Sequence, residues 1–133
     1  MLLDRWRINN LVRQGADAAL GRAALVWRGA RHVQRGPCGP SASARFPLIL
    51  MQALAQRFPR QLEEFCVASA AAAATSPYLA AHCIVALELL RSPHLGEAAA
   101  ALATRTEPVR WCVGCYYQET ELAELARACD PRI

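Results

Sequence analysis

Ser76-Pro77-Tyr78-Leu79-Ala80-Ala81-His82-Cys83-Ile84-Val85-Ala86-Leu87-Glu88-Leu89 is the stretch that decides the fold. A hydroxyl residue followed at once by proline is a helix-opening signal. Serine suits the N-cap, and proline suits the first helical turn, where its missing N–H costs nothing. Behind it, Ala80, Cys83, Ile84 and Leu87 repeat at helical spacing. Val85 and Leu89 fall off that stripe, so the helix is expected to be buried on more than one side.

Similar openings recur downstream at Ser92-Pro93 and at Thr106-Glu107-Pro108. The first leads into Leu95, Ala98, Ala99 and Leu102, the second into Val109, Cys112, Val113 and Tyr116. A last helix carries Leu122, Leu125, Ala126 and Cys129, with Thr120 as a possible cap. Upstream, Pro59 opens a helix with Leu62, Phe65, Cys66, Ser69, Ala70 and Ala73 on one face. Phe46 to Leu54 is apolar nearly all round and predicts a central helix, capped by Ser41 or Ser43, with Pro47 in its first turn or kinking it. The first helix is expected over Leu2 to Gln14, stopped by Gly15, and the second from an Asp17 cap to about Gln34. The run Arg35-Gly-Pro-Cys-Gly-Pro40 is the one clear breaker. The reading is an all-α single domain over 1–133, built as a basic helical hairpin (1–35) followed by helix pairs (41–133). Short connections make neighbouring helices antiparallel, giving either a solenoid or a compact bundle of about seven or eight helices.

Composition agrees. Of 133 residues 54% are hydrophobic, but 27 are alanine, which favours helix and contributes little buried area. The core must therefore lean on the larger apolar side chains. All 15 basic residues are arginine, and GC-rich codons account for the bias toward Arg, Ala, Gly and Pro, which suggests a bacterial source. Residues 1–60 hold ten arginines against Asp4 and Asp17, a balance of +8. Residues 61–133 hold five against nine carboxylates, a balance of −4. Such asymmetry suits an anionic partner or head-to-tail self-association. The N-terminus lacks an uninterrupted apolar segment of secretory type. No apolar run approaches the ~20 residues of a membrane-spanning helix. The expectation is a cytoplasmic protein with its six cysteines reduced.

Glu107-Pro108-Val109-Arg110 resembles the acidic, Val-Arg opening of the second helix in HEAT-like repeats. Ser76-Pro77-Tyr78-Leu79 occupies the equivalent place one unit earlier, and Ser41 to Leu54 a further one. The resemblance covers residues 41–133 and implies a stack of helix pairs that binds a protein through its surface.

Three constellations could carry function. Arg28, Arg31 and Arg35 have i, i+3, i+7 spacing and are expected on one face of the second helix. Arg5, Arg7 and Arg13 lie on the first helix, with Trp6 and Trp27 interleaved. Guanidinium groups beside aromatics suit an anionic partner, by ion pairing or by stacking a base. Trp111-Cys112-Val113-Gly114-Cys115 resembles the tryptophan-preceded Cys-x-x-Cys of thioredoxin-like proteins, but those sites follow a strand and residues 94–106 read as helix. The same two thiols could meet Cys83 or His82 around zinc, though the ligand set is incomplete. No Ser–His–Asp order, Gly-rich phosphate loop or His-Glu-x-x-His occurs. The expected function is a non-enzymatic α-helical protein–protein interaction module without cofactor. Its partner-binding residues would be Arg28, Arg31, Arg35, Arg5 and Arg7. The alternatives are a small nucleic-acid-binding domain using the arginine face, and a thiol redox or metal protein centred on Cys112 and Cys115.

Overall fold

The computed structural model describes residues 2–35, 42–113 and 116–130. Its elements run α1 (Leu2–Arg13), α2 (Ala16–Arg28), β1 (Val33–Arg35), α3 (Ala42–Arg57), α4 (Pro59–Ala71), α5 (Pro77–Leu89), α6 (Leu95–Ala101), β2 (Pro108–Val113), β3 (Tyr116–Glu121) and α7 (Leu122–Cys129). The expected all-α class is corrected: the protein is mostly helical and carries a three-stranded sheet.

The Ser76-Pro77 stretch forms α5, the centre of the molecule. Ser76 takes the N-cap position and Pro77 opens the helix, but the Ser76 hydroxyl makes no capping bond. Proline's fixed φ therefore does the work expected of the hydroxyl. Every residue from Ala80 to Leu87 is buried. That follows from what surrounds the helix: α2, α3, α4, α6 and α7 and strands β1 and β2 all pack on it. Leu89, at 46% exposure, is where the burial ends.

The Pro59 stripe is found on α4, where Leu62, Cys66 and Ala70 are buried. The four apolar positions expected of the last helix are all buried on α7. Its N-cap is Glu121 rather than Thr120. Pro47 sits inside α3, and its carbonyl accepts the Trp27 indole N–H at 3.1 Å, locking α2 to α3. Gly15 joins α1 to α2 at a φ of 101°, a backbone conformation open to glycine and strained for other residues. Asp17 lies in the first turn of α2 rather than at its cap. At Ser92-Pro93 the helix starts later than expected, at Leu95. The Ser92 hydroxyl donates to Glu63 at 2.6 Å and accepts the His94 N–H at 3.0 Å, which shapes the turn before α6.

Two expectations fail. The second helix stops at Arg28, with Gly29 as its C-cap, instead of reaching Gln34. Its tail is β1, which pairs in parallel with β2, Val33 opposite Trp111 and Arg35 opposite Val113. And Pro108 opens a strand, not a helix. β2 pairs antiparallel with β3, from Pro108 opposite Glu121 to Val113 opposite Tyr116. The run 109–113 satisfies both periods, since Val109, Trp111 and Val113 alternate while Val109, Cys112 and Val113 are helically spaced. Valine and tryptophan prefer the pleated surface, and two-residue connections favour hairpins. The segment read as a HEAT-like second helix is thus the central strand. Val33, Val109 and Trp111 face the helices and are buried. Trp111 also donates its indole N–H to the Thr120 hydroxyl at 2.8 Å.

Candidate functional site: the aromatic and arginine groove of α1–α3

The three arginines expected on one helical face are not brought together. Arg28 is the last residue of α2 and is exposed, and Arg31 lies in the bend beyond it. Arg35 is on β1, where its Nε donates to Glu88 Oε1 at 2.8 Å and its Nη2 to Glu88 Oε2 at 2.7 Å. The same Nη2 donates to the Ala128 carbonyl at 3.0 Å. Hydrogen bonding to Glu88, opposed by partial burial, raises the guanidinium's already high pKa. Arg35 is a structural tie between β1, α5 and α7. The helical spacing failed because Gly29 ends the helix before it applies.

Arg5 and Arg7 stay on the surface, on opposite flanks of α1. Arg5 lines a groove between α1 and α3 of about 520 Å³, with Ile8, Asn9, Ile49 and Gln52 along its walls. Arg7 lines a second groove of about 350 Å³, where α1, α2 and the start of α3 meet. That groove is walled by Trp6, Arg7, Asn10, Leu11, Gln14, Arg22 and Phe46. Trp6 is 61% exposed, which is unusual for so large an apolar side chain. The Arg7 guanidinium sits over the Phe46 ring, 4.4 Å from its centroid, and only grazes Asp4 at 3.9 Å. Stacking orients the planar guanidinium without consuming its outward donors. Arg22, from α2, is exposed and adds a second cation. Amide side chains of Asn10 and Gln14 supply further donors and acceptors.

Positions 7, 10, 11 and 14 follow i, i+3, i+4, i+7 spacing, so Asn10, Leu11 and Gln14 were legible from Arg7 as one stripe. Phe46 and Arg22 were not, because they arrive from other helices. Trp27, expected beside Trp6, is instead fully buried and stacks on His82 with ring centroids 5.7 Å apart and planes 4° from parallel.

The metal candidates separate as well. His82 is buried, and because a carbonyl only accepts, its Nδ1 must be the donor to the Tyr78 oxygen at 2.7 Å. Burial pushes its pKa down to about 4, against the upward pull of that hydrogen bond, and the nearby His32 adds a small downward push. Cys83 hydrogen-bonds with Cys66 across the α4–α5 interface, and this bond, with burial, pushes the Cys66 thiol well up. Cys112 lies on β2 on the sheet face opposite Trp111, and Cys115 lies outside the described residues. Among the described residues no group of three His, Cys, Asp or Glu side chains is placed to hold a metal ion. Among the described residues no helix is long and apolar enough to cross a membrane.

The chain matches no family model, no curated protein and no solved structure.

Proposed function

We propose that the protein is a non-enzymatic interaction module that docks an acidic surface of a partner protein in the α1–α2–α3 groove. The observation that carries this reading is Trp6, an exposed indole that shares its groove with Arg7 and Arg22. Tryptophan and arginine are the residues that most often dominate protein interfaces, the ring by burial and the guanidinium by bidentate capture of carboxylates. The basic balance of the first 60 residues steers such a partner toward this end of the molecule. Arg5, Arg28 and Arg31 contribute to that field, while Arg35 is consumed by Glu88.

The same groove favours a second reading, single-stranded nucleic acid, through stacking of a base on Trp6. Trp6 fluorescence tests both, because the other two tryptophans are almost fully buried. The probes are a capped peptide of alternating aspartate and leucine and a short oligothymidine. The acidic peptide should shift the Trp6 emission, and Trp6→Ala or Arg7→Glu with Arg22→Glu should weaken binding by about thirty-fold, as for an interface hot spot. Preferential binding of the oligonucleotide would select the second reading. Its salt dependence should be shallow, since two or three arginines neutralise few phosphates. Binding of either probe that survives both variants would remove the groove from the function.

A further inference from the structure

The sheet ends in an open edge. β3 is bonded to β2 on one side only, and all of it except Thr120 is classed as exposed. The Leu122 N–H donates to the Glu107 carbonyl at 2.9 Å, which fixes the phase of the ladder. In an antiparallel pair the bonded positions alternate. Thr120 and Gln118 therefore bond to β2, and the main-chain N–H and C=O of Glu119 and the N–H of Glu121 point away from the sheet, while the Glu121 carbonyl serves the α7 cap and accepts the Thr120 hydroxyl at 3.3 Å. Pro108, which has no N–H to give, sits opposite Glu121 at one of the unbonded positions, as this phase requires.

Strand edges are usually blunted by short length, charged side chains, proline, a bulge or a covering element, and on β3 the charges are Glu119 and Glu121. β3, Tyr-Tyr-Gln-Glu-Thr-Glu, has neither proline nor lysine, and its register with β2 runs without a bulge. Glu119 and Glu121 share the sheet face opposite Val109 and Trp111 with Arg110, which stands opposite Glu119 in the β2 register, and among the described residues neither carboxylate makes an ion pair. Tyr117 precedes them on that face, 44% exposed, with its ring edge-on to His32 at 5.3 Å.

We infer that β3 is a docking strand for an extended cationic segment of a partner protein, added antiparallel to Glu119 and Glu121. Main-chain bonds to the outward groups give such a segment its affinity, and alternate side chains give its specificity. Positions opposite Glu119 and Glu121 fall on the same face, so the segment carries arginine or lysine at every second residue. A second copy of this chain fits worse. In the registers of longest overlap with a copy of itself, the two Glu119 carboxylates meet directly or on the diagonal about the two-fold axis, where like charges repel. This surface is independent of the Trp6 groove and of opposite sign.

The probe is a capped eight-residue peptide of alternating valine and arginine, with its valine–glutamate counterpart and a version N-methylated on alternate amides. Amide chemical shifts of the whole protein report the site. The cationic peptide should move the resonances of β3 and leave α1 unmoved, and the other two peptides should not bind. Glu119→Gln with Glu121→Gln should weaken binding by about ten-fold. Glu119→Pro, which removes an outward N–H and spares the β2 ladder, should abolish it. Trp6→Ala should leave it unchanged. Equal binding of the glutamate or the N-methylated peptide would overturn the inference, as would a cationic peptide that shifts no β3 resonance. Concentration-dependent dimerisation removed by Glu119→Pro, without peptide binding, would overturn it too by making the second copy the occupant. Should Glu119→Pro lose the fold, the N-methylated peptide decides alone.

Discussion

α5 and β2 both start at a proline that follows a polar residue, and they end up as opposite kinds of element. In α5 the chain after Pro77 is buried on all sides, eight residues in succession. In β2 Val109 and Trp111 face the helices and Arg110 between them is exposed, while Cys112, on the face of Arg110, is buried as well. Proline fixes φ near −65° and removes one donor, and both elements accept those terms at their first position. What separates them is the following residues and the surface that receives them. Alanine at three of the first ten positions of α5 lets five helices crowd around it. Valine and tryptophan on β2 fill a half-covered sheet instead.

The contrast can be broken most sharply at Leu87, which is fully buried among those helices. Leu87→Ala should cost about 2–5 kcal/mol in denaturant unfolding. A loss well under 1 kcal/mol would mean that α5 is not the centre of the core. His82 gives the next largest effect. Its folded pKa of about 4 lies below the ordinary histidine value of 6.5, so the unfolded chain binds the extra proton first. The stability this histidine allows is complete above pH 6.5 and is lost as pH falls toward 4, by about 3 kcal/mol. His82→Phe should flatten unfolding free energy across that window, and an unchanged slope would exclude His82 as its source. At the sheet, Arg35→Ala should cost about 1–3 kcal/mol, because it leaves Glu88 without its bidentate partner on a part-buried surface. Pairing it with Glu88→Ala in a double-mutant cycle should recover part of that loss. Trp111→Phe, which deletes the indole bond to Thr120 together with part of a buried ring, should cost about 1–3 kcal/mol. The smallest stability effect should be at Trp6. Trp6→Ala should stay within about 0.5 kcal/mol, since the ring is largely in water. A larger loss would mark Trp6 as packing rather than as a docking residue.

Helices with a single strong period and a clear opening were readable in advance: α5 and α7 bury their expected positions, and α4 buries Leu62, Cys66 and Ala70 but leaves Phe65 and Ser69 half-buried and ends before the exposed Ala73. The hairpin was not, because the five residues Val109 to Val113 fit both periods and are too few for periodicity to separate helix from strand. β1 was hidden for another reason. Three residues hold little local preference, and Val33 becomes a strand only because Trp111 arrives beside it. The arginine spacing at 28, 31 and 35 was real in the sequence but void in space, since Gly29 stops the helix. In the groove, the α1 stripe from Arg7 to Gln14 was legible, whereas Arg22 and Phe46 depend on helix packing that no local pattern encodes.

The pairing of β1 with β2 also sets an order of assembly. Val33 and Trp111 lie 78 positions apart in the chain, and the loop between them must close before their hydrogen bonds can form. During synthesis at about 5–20 residues per second, β1 waits several seconds for its partner. During that wait Val33 can meet α5, which packs on β1, but not its strand partner. The helices α3 to α5 can collapse locally in the meantime, and the sheet is the step that closes the domain. Changes in β1 or β2 should therefore slow the last folding phase more than the first, and a chain halted before Trp111 would hold its helices with the strand edge of β1 still unpaired.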